Sequence, residues 1–386
     1  MIKIKNKKNC SGCHACENIC PKKCIEMKSD KEGFLYPFVH KDKCVDCGLC
    51  EKVCPIINKR TSNNIPTVYA CVNKNEEARS ISSSGGIFSL FAKQIINAGG
   101  VVFGAAFNED FSVSHRSAKT MDEVSAMYGS KYVQSIIGST YKEAKQYLDS
   151  GKTVLFSGTA CQIGGLLSYL GKKYDNLICM DIICHGVPSP KVWKTYLDFR
   201  MKQYKSKVKN ASFRSKRFGW NHFSMKLDFE NGDEYIAKEH ADPYIRAFLW
   251  DLSLRPCCFK CNFKGTNRES DITLADFWGV ERYFKEFSDD KGTSCIWANT
   301  DKGKKLFESI KDQINCKTAR MEDCLVSNTY AVISVDWRKK HRVRRKFFNE
   351  LEITDFEVLA DKYVRETTLK KKARVIYYKL KKLAKR

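Results

Sequence analysis

Between residues 68 and 203 the chain alternates between short apolar runs and stretches whose apolar residues fall three and four apart. The run Val68-Tyr69-Ala70-Cys71-Val72 predicts a strand, 87–96 a helix closed by Gly99-Gly100, and 101–107 the next strand. Further on, 153–156 predicts a buried strand, 160–170 a helix, 177–183 another buried strand and 191–203 a helix. Strand, helix, strand in series predicts an α/β core with helices covering a partly parallel sheet. The segments 208–214, 223–229 and 233–237 read instead as antiparallel strands, with Asn231-Gly232 as a hairpin turn. Residues 59–64 are polar without apolar periodicity and read as a linker. At the far end Leu369, Ala373, Ile376, Leu380 and Leu383 share one helical face with lysines and arginines around the others, which predicts a basic amphipathic helix.

Ahead of this pattern stand two near-identical runs, Cys10-x2-Cys13-x2-Cys16-x3-Cys20-Pro21 and Cys44-x2-Cys47-x2-Cys50-x3-Cys54-Pro55. This is the ligand pattern of a two-cluster bacterial-type ferredoxin module. Three thiolates two residues apart wrap one 4Fe-4S cube, and the fourth, placed before a proline, reaches the cube of the other half. One cluster then takes Cys10, Cys13, Cys16 and Cys54, the other Cys44, Cys47, Cys50 and Cys20. A zinc site does not explain eight cysteines in two proline-closed runs, and a disulfide framework needs an oxidising compartment. Cys24 lies outside both runs and receives no role.

At 386 residues the chain has room for this module, 1–60, and about two further domains' worth of core. The remaining divisions are 65–150 and 151–350, as two parts of one region, and the tail 351–386. The expected class is therefore α+β / α/β. The charged start of the chain leads straight into cysteine ligands without an apolar leader, and nowhere is there an apolar run long enough to span a bilayer. A reducing, cytoplasmic setting is expected. The formal net charge of +24 concentrates in 338–346 and 370–386. The basic tail could lie on an anionic membrane surface, giving a membrane-peripheral protein, or pack on its own domain. Nucleic-acid binding is not expected, because no binding motif accompanies the charge.

Candidate chemistry gathers where strands meet helices. Ser82-Ser83-Ser84-Gly85-Gly86 directly precedes a helix, which suits either an anion such as a cofactor phosphate or an ordinary serine cap. Phe156-Ser157-Gly158-Thr159-Ala160-Cys161-Gln162 repeats the arrangement with a cysteine at the helix start, and Cys184-His185-Gly186-Val187-Pro188 lies at a strand end, where α/β sheets bind ligands. Cys258 and Cys261 sit at metal spacing. With Cys161 and Cys184 they could supply a third 4Fe-4S cluster; the alternative is that Cys161 and Cys184 are buried apolar-like residues.

The order of these motifs, with Gly129-Ser130-Lys131-Tyr132-Val133-Gln134-Ser135, Arg255-Pro256-Cys257-Cys258-Phe259-Lys260-Cys261 and Ser270-Asp271-Ile272-Thr273-Leu274-Ala275-Asp276-Phe277-Trp278-Gly279, resembles the beta subunit family of coenzyme F-420 hydrogenases and dehydrogenases. The sequence departs from the family's usual pattern at Ala160, Cys257 and Ala275. The resemblance implies a flavin-binding α/β domain holding FAD, with Ser83, Ser84, Gly85, Gly86, Lys131, Gln134, Ser135, Thr159 and Gln162 lining the site. Lys131 would be the cation near the flavin, and His185 a proton donor or a satisfied core histidine. The implied activity is a flavin-dependent iron–sulfur oxidoreductase, passing electrons between a two-electron carrier, deazaflavin F-420 or another reductant, and the clusters. Its rivals are a non-catalytic electron-transfer subunit wired to a redox partner protein, and an accessory redox protein of cell-surface polysaccharide biosynthesis.

Overall fold

The computed structural model describes residues 1–334 and 337–364. The N-terminal module is a hairpin of β1 (Ile25–Ser29) and β2 (Leu35–Val39), paired from Ile25 opposite Val39 to Ser29 opposite Leu35. Its two cysteine runs each form a short helix, Ala15–Ile19 and Leu49–Lys52. Cys16, Cys20, Cys50 and Cys54 are buried with Ile2 and Ile25, so thiols make up much of this small core.

The remaining strands are β3 (Thr67–Asn73), β4 (Val101–Phe107), β5 (Val113–Ala118), β6 (Val154–Thr159), β7 (Leu177–Ile182), β8 (Val208–Ser215), β9 (Ser224–Phe229), β10 (Glu234–Lys238), β11 (Ile272–Asp276), β12 (Ser294–Ala298) and β13 (Ile314–Ala319). One eight-stranded sheet runs β13-β3-β12-β11-β7-β6-β4-β5. Its centre, β11-β7-β6-β4, is parallel, and the outer pairings are antiparallel. Val101, Val102, Phe103, Val154, Leu155 and Phe156 are all fully buried, as parallel strands covered on both faces require. The helices Ile87–Asn97, Thr140–Asp149 and Ala160–Leu170 supply that cover. The expected α/β core is thus present, but β3 sits between β12 and β13, so the spans 65–150 and 151–350 share one sheet.

A separate antiparallel sheet, β10-β9-β8, turns at Asn231-Gly232 as expected, with Gly232 at φ +90°. It packs with the helices Pro190–Tyr204, Pro243–Leu249 and Phe356–Val364 around Trp193, Tyr196, Phe213, Leu227, Tyr244 and Phe356. The start of the expected tail is therefore part of a core; its amphipathic face from Leu369 to Leu383 lies outside the described residues. Among the described residues no helix is long and apolar enough to cross a membrane. The linker is extended and tied down, with Arg60 paired to Glu269 at 2.6 Å and Asn64 donating to the Arg268 carbonyl at 3.0 Å.

Candidate iron–sulfur centres and the strand-end site

Cys10, Cys13, Cys16 and Cys54 face one cavity of about 330 Å³. Cys20, Cys44, Cys47 and Cys50 face another of about 350 Å³. Each set is three cysteines of one run and the last of the other. The crossing follows from the backbone: Cys20 caps its short helix and Cys54 lies just beyond the end of the other, and Pro21 and Pro55 follow, which carries each thiol towards the opposite half. Burial pushes the Cys13 thiol up to about 12 and raises Cys16 and Cys54 as well. Bare thiolates are costly in such places, and bound iron would offset that cost. Among the described residues no three metal-ligating side chains converge tightly enough for a single ion. The donor set, all thiol, buried and spread round a cavity, fits a cuboidal cluster. Cys24 lines the second cavity, its sulfur 3.3 Å from that of Cys20, a fifth thiol to which the spacing gave no role.

The more distant assembly also forms. Cys161, Cys184, Cys258 and Cys261 line one cavity of about 560 Å³, with Cys257 beside them. Cys161 follows the carboxyl end of β6 and Cys184 that of the neighbouring parallel β7, so sheet register alone brings them together. Cys258 lies on the turn Pro256–Lys260 and Cys261 directly after it, the turn being held by the Arg255 amide donating to the Val187 carbonyl. Burial lifts Cys184 to about 12 and Cys161 well above its ordinary value, whereas a hydrogen bond from Cys257 brings Cys258 down to about 7. Ser11 and Ile56 line both this cavity and that of Cys10, so two residues form the wall between them.

The other strand-end candidates fall into two groups. Ser83, Ser84, Gly85 and Gly86 lie before the helix Ile87–Asn97, with Ser83 Oγ accepting from the Ser130 amide at 2.7 Å. Ser84 Oγ donates to the Thr293 carbonyl and the Gly85 amide to Ser294 Oγ, both at 3.0 Å. A Cβ on Gly85 would stand 2.5 Å from the Cys71 carbonyl oxygen, so this glycine is required by contact with β3 and β12. Lys131 Nζ donates to the Tyr128 and Gly129 carbonyls, and burial, with Arg116 nearby, draws its ammonium down to about 7. In the second group Thr159 and Gln162 form a capping box: the Thr159 amide donates to Gln162 Oε1 at 2.9 Å, and Gln162 Nε2 reaches the Ser135 carbonyl at 3.4 Å. Gln134 Nε2 donates to the Ser11 carbonyl at 3.2 Å, joining the strand ends to the first cysteine cage. His185 lines the third cavity, its Nε2 2.7 Å from Asp251 Oδ1 and its ring edge against Phe248 and Tyr330.

Compared with known proteins, residues 151–323 match the C-terminal part of the coenzyme F420 hydrogenase/dehydrogenase beta subunit family, and residues 9–56 match the 4Fe-4S dicluster domain. No curated protein matches the chain. Among solved structures it is similar to a chain of the F420-reducing NiFe hydrogenase complex from Methanosarcina barkeri, at 15% identity and a TM-score of 0.49, over 75% of this chain and 93% of that one.

Several site residues escaped the sequence reading. Arg255, fully buried, donates from Nε to the Cys10 carbonyl at 2.9 Å, from Nη1 to Gln134 Oε1 at 2.9 Å and from Nη2 to the Leu35 carbonyl at 2.8 Å. The same Nη2 stands 3.6 Å from Cys10 Sγ, and the guanidinium lies over the Tyr36 ring. One side chain thus fastens the dicluster domain to the arm bearing Cys258. Lys264 Nζ donates to the carbonyls of Cys184 and Tyr330, placing a cation at the third cavity. The position of Arg255 just before the paired cysteines was the available signal, but its partners lie more than a hundred residues away.

Proposed function

We propose that the protein is a flavin-dependent iron–sulfur oxidoreductase that passes electrons between a two-electron carrier, deazaflavin F420 or another reductant, and three 4Fe-4S clusters. The observation that carries this reading is the succession of cysteine cages, in which the cage of Cys10 shares its wall with that of Cys161 and its module with that of Cys44. When bound, FAD would supply the exchange between two-electron and one-electron chemistry. The chain's own residues would fix the route: Arg255 and Gln134 hold the first and third cages at a set separation, and Ser11 and Ile56 keep water out between them. Lys264 and Arg255 place positive charge beside the thiols, which favours added negative charge there. His185, whose Nε2–H donates to Asp251, would present Nδ1 as a hydrogen-bond acceptor next to Cys184. Ser83, Ser84, Gly85, Gly86, Lys131, Gln134, Ser135, Thr159 and Gln162 remain our candidates for the flavin.

One observation favours a second reading, a non-catalytic electron-transfer subunit. The polar groups of Ser83, Ser84 and Gly85 are hydrogen-bonded within the chain, which leaves fewer donors for a phosphate. Flavin, iron and sulfide per chain, measured on protein purified without oxygen, separate the two. About twelve iron with one FAD supports the oxidoreductase with three clusters, since each cube holds four iron. About eight iron with FAD removes the third cluster, and iron without flavin gives the electron-transfer subunit.

A further inference from the structure

Strands β3 and β13 are paired antiparallel with Cys71 directly opposite Cys316. The Lys74 amide donates to the Gln313 carbonyl at 3.0 Å, whereas the Asn73 amide turns away to the Gly85 carbonyl. The two kinds of pair alternate along an antiparallel ladder, so Lys74 and Gln313 form a hydrogen-bonded pair and Cys71 and Cys316, three places on, a non-hydrogen-bonded one. Side chains stand closest at such pairs, with α-carbons about 4.5 Å apart, inside the range of about 4.4–6.8 Å that a disulfide spans. The two thiols lie on the same face of the sheet and hydrogen-bond one another.

The two cysteines differ in what can reach them. Cys71 is fully buried in one cluster with Ile87, Leu90 and Phe91, and burial, with Cys316 beside it, raises its thiol well above the ordinary value. β13 is the outer strand of the sheet, and Cys316 on it is half-buried, open to a small molecule from solvent. The Cys316 thiol, taking a hydrogen bond from Cys71 and lying near Lys311 and Lys74, comes down to about 6 in spite of partial burial and the carboxylate of Glu308. Cys316 is thus the nucleophile and Cys71 the proton-bearing partner behind it. Cys295 and Cys324, whose sulfurs are 2.8 Å apart, offer no such entry, because both are fully buried. Two strands separate β3 from β7, which keeps the pair apart from the cysteine cages.

We propose that Cys71 and Cys316 are a reversible dithiol–disulfide pair, oxidised by a low-molecular-weight disulfide that enters at Cys316. The Cys316 thiolate attacks one sulfur of that disulfide and releases one thiol, leaving a mixed disulfide. Cys71 then passes its proton to the departing sulfur and attacks Cys316 Sγ, which releases the second thiol. The chain loses two electrons and two protons, and the small disulfide becomes two thiols. The new bond fastens β13 to β3, the strand against which Gly85 packs. The exchange uses neither a flavin nor the cysteine cages.

The test is to incubate the full-length protein, purified without oxygen, with oxidised glutathione, quench it in acid, alkylate the denatured chain and weigh its tryptic peptides. Residues 61–74 and 312–317 are tryptic peptides with one cysteine each, Cys71 and Cys316. The expected product is these two peptides linked, two hydrogens lighter than their sum. Alkylation of both cysteines should fall together by about tenfold or more and return with reduced glutathione. In Cys71→Ala, Cys316 is expected to retain glutathione as a mixed disulfide. In Cys316→Ser, at a half-exposed position, Cys71 is expected to remain a free thiol. Absence of the linked peptides from the wild-type chain overturns the proposal without any variant having to fold, as does modification of Cys71 in Cys316→Ser.

Discussion

His115 is the titratable residue whose environment is most completely defined. Its Nε2 lies 2.9 Å from the Ser157 carbonyl and so carries the proton, leaving Nδ1 to accept from Ser135 Oγ at 2.7 Å. The ring is buried against Phe156, and burial draws the imidazole from 6.5 down to about 4. Between those values the unfolded chain binds the proton and the folded chain does not, so stability falls as pH drops through this window. From pH 7 to pH 5 this one residue is expected to remove about 2 kcal/mol, a slope that His115→Gln should flatten. Urea midpoints at pH 5, 6 and 7 check it; parallel slopes in both proteins would refute the assignment. Thiols at the same scale were legible from spacing alone. The role of Arg255 was not, since a guanidinium's partners are chosen by packing.

At the scale of elements, the turn between β1 and β2 is a second fastening, besides Arg255, of the dicluster domain to the rest of the chain. Arg344, on the helix Trp337–Glu350, holds Glu32 in that turn with two parallel hydrogen bonds of 2.8 and 2.6 Å. Ser189 Oγ donates to the Glu32 carbonyl, and Gly33, at φ +84°, presses so closely on Lys191 that a Cβ there would stand 2.4 Å from the lysine's own. The Arg344 side chain is 4% exposed and that of Glu32 14%, so Glu32→Gln leaves a charge largely buried and is expected to weaken docking by on the order of 3 kcal/mol. Trypsin cleavage at Lys59 and Arg60 should accelerate in this variant; an unchanged rate would mean the turn does not govern docking. The helices and central strands near residues 87–107 and 154–204 were readable because each buries a periodic apolar face. Strands β5, β11, β12 and β13 were not assigned from sequence, since Val113–Ala118 interleaves His115 and Arg116 and the others are short runs placed by their neighbours.

For the whole molecule the positive charge changes meaning. Among the described residues six arginines are buried, and Arg79, Arg214 and Arg344 are paired with Asp289, Asp276 and Glu32. Part of the +24 is therefore internal fastening, not an outward basic patch. The arrangement of cages also makes a kinetic prediction. If the cage of Cys10 is the middle one, Cys10→Ser should slow reduction of the cluster at Cys44 after a two-electron reductant is mixed in, while the cluster at Cys161 reduces as before. Stopped-flow with freeze-quench electron paramagnetic resonance reads both, and equal reduction of all remaining clusters would refute the series order.

The eight ligand candidates of the dicluster domain, their crossed division and the strand–helix succession were determined by sequence, because spacing, proline and apolar period act over a few residues. Tertiary structure alone decided that Cys161 and Cys184 meet Cys258 and Cys261. Those four come from two adjacent strand ends and a distant turn, and only sheet register and the burial of Arg255 bring them to one place. The same holds for the pairing of Cys71 with Cys316, in which neither residue carries a local signal and their chemistry arises from the register of β3 against β13.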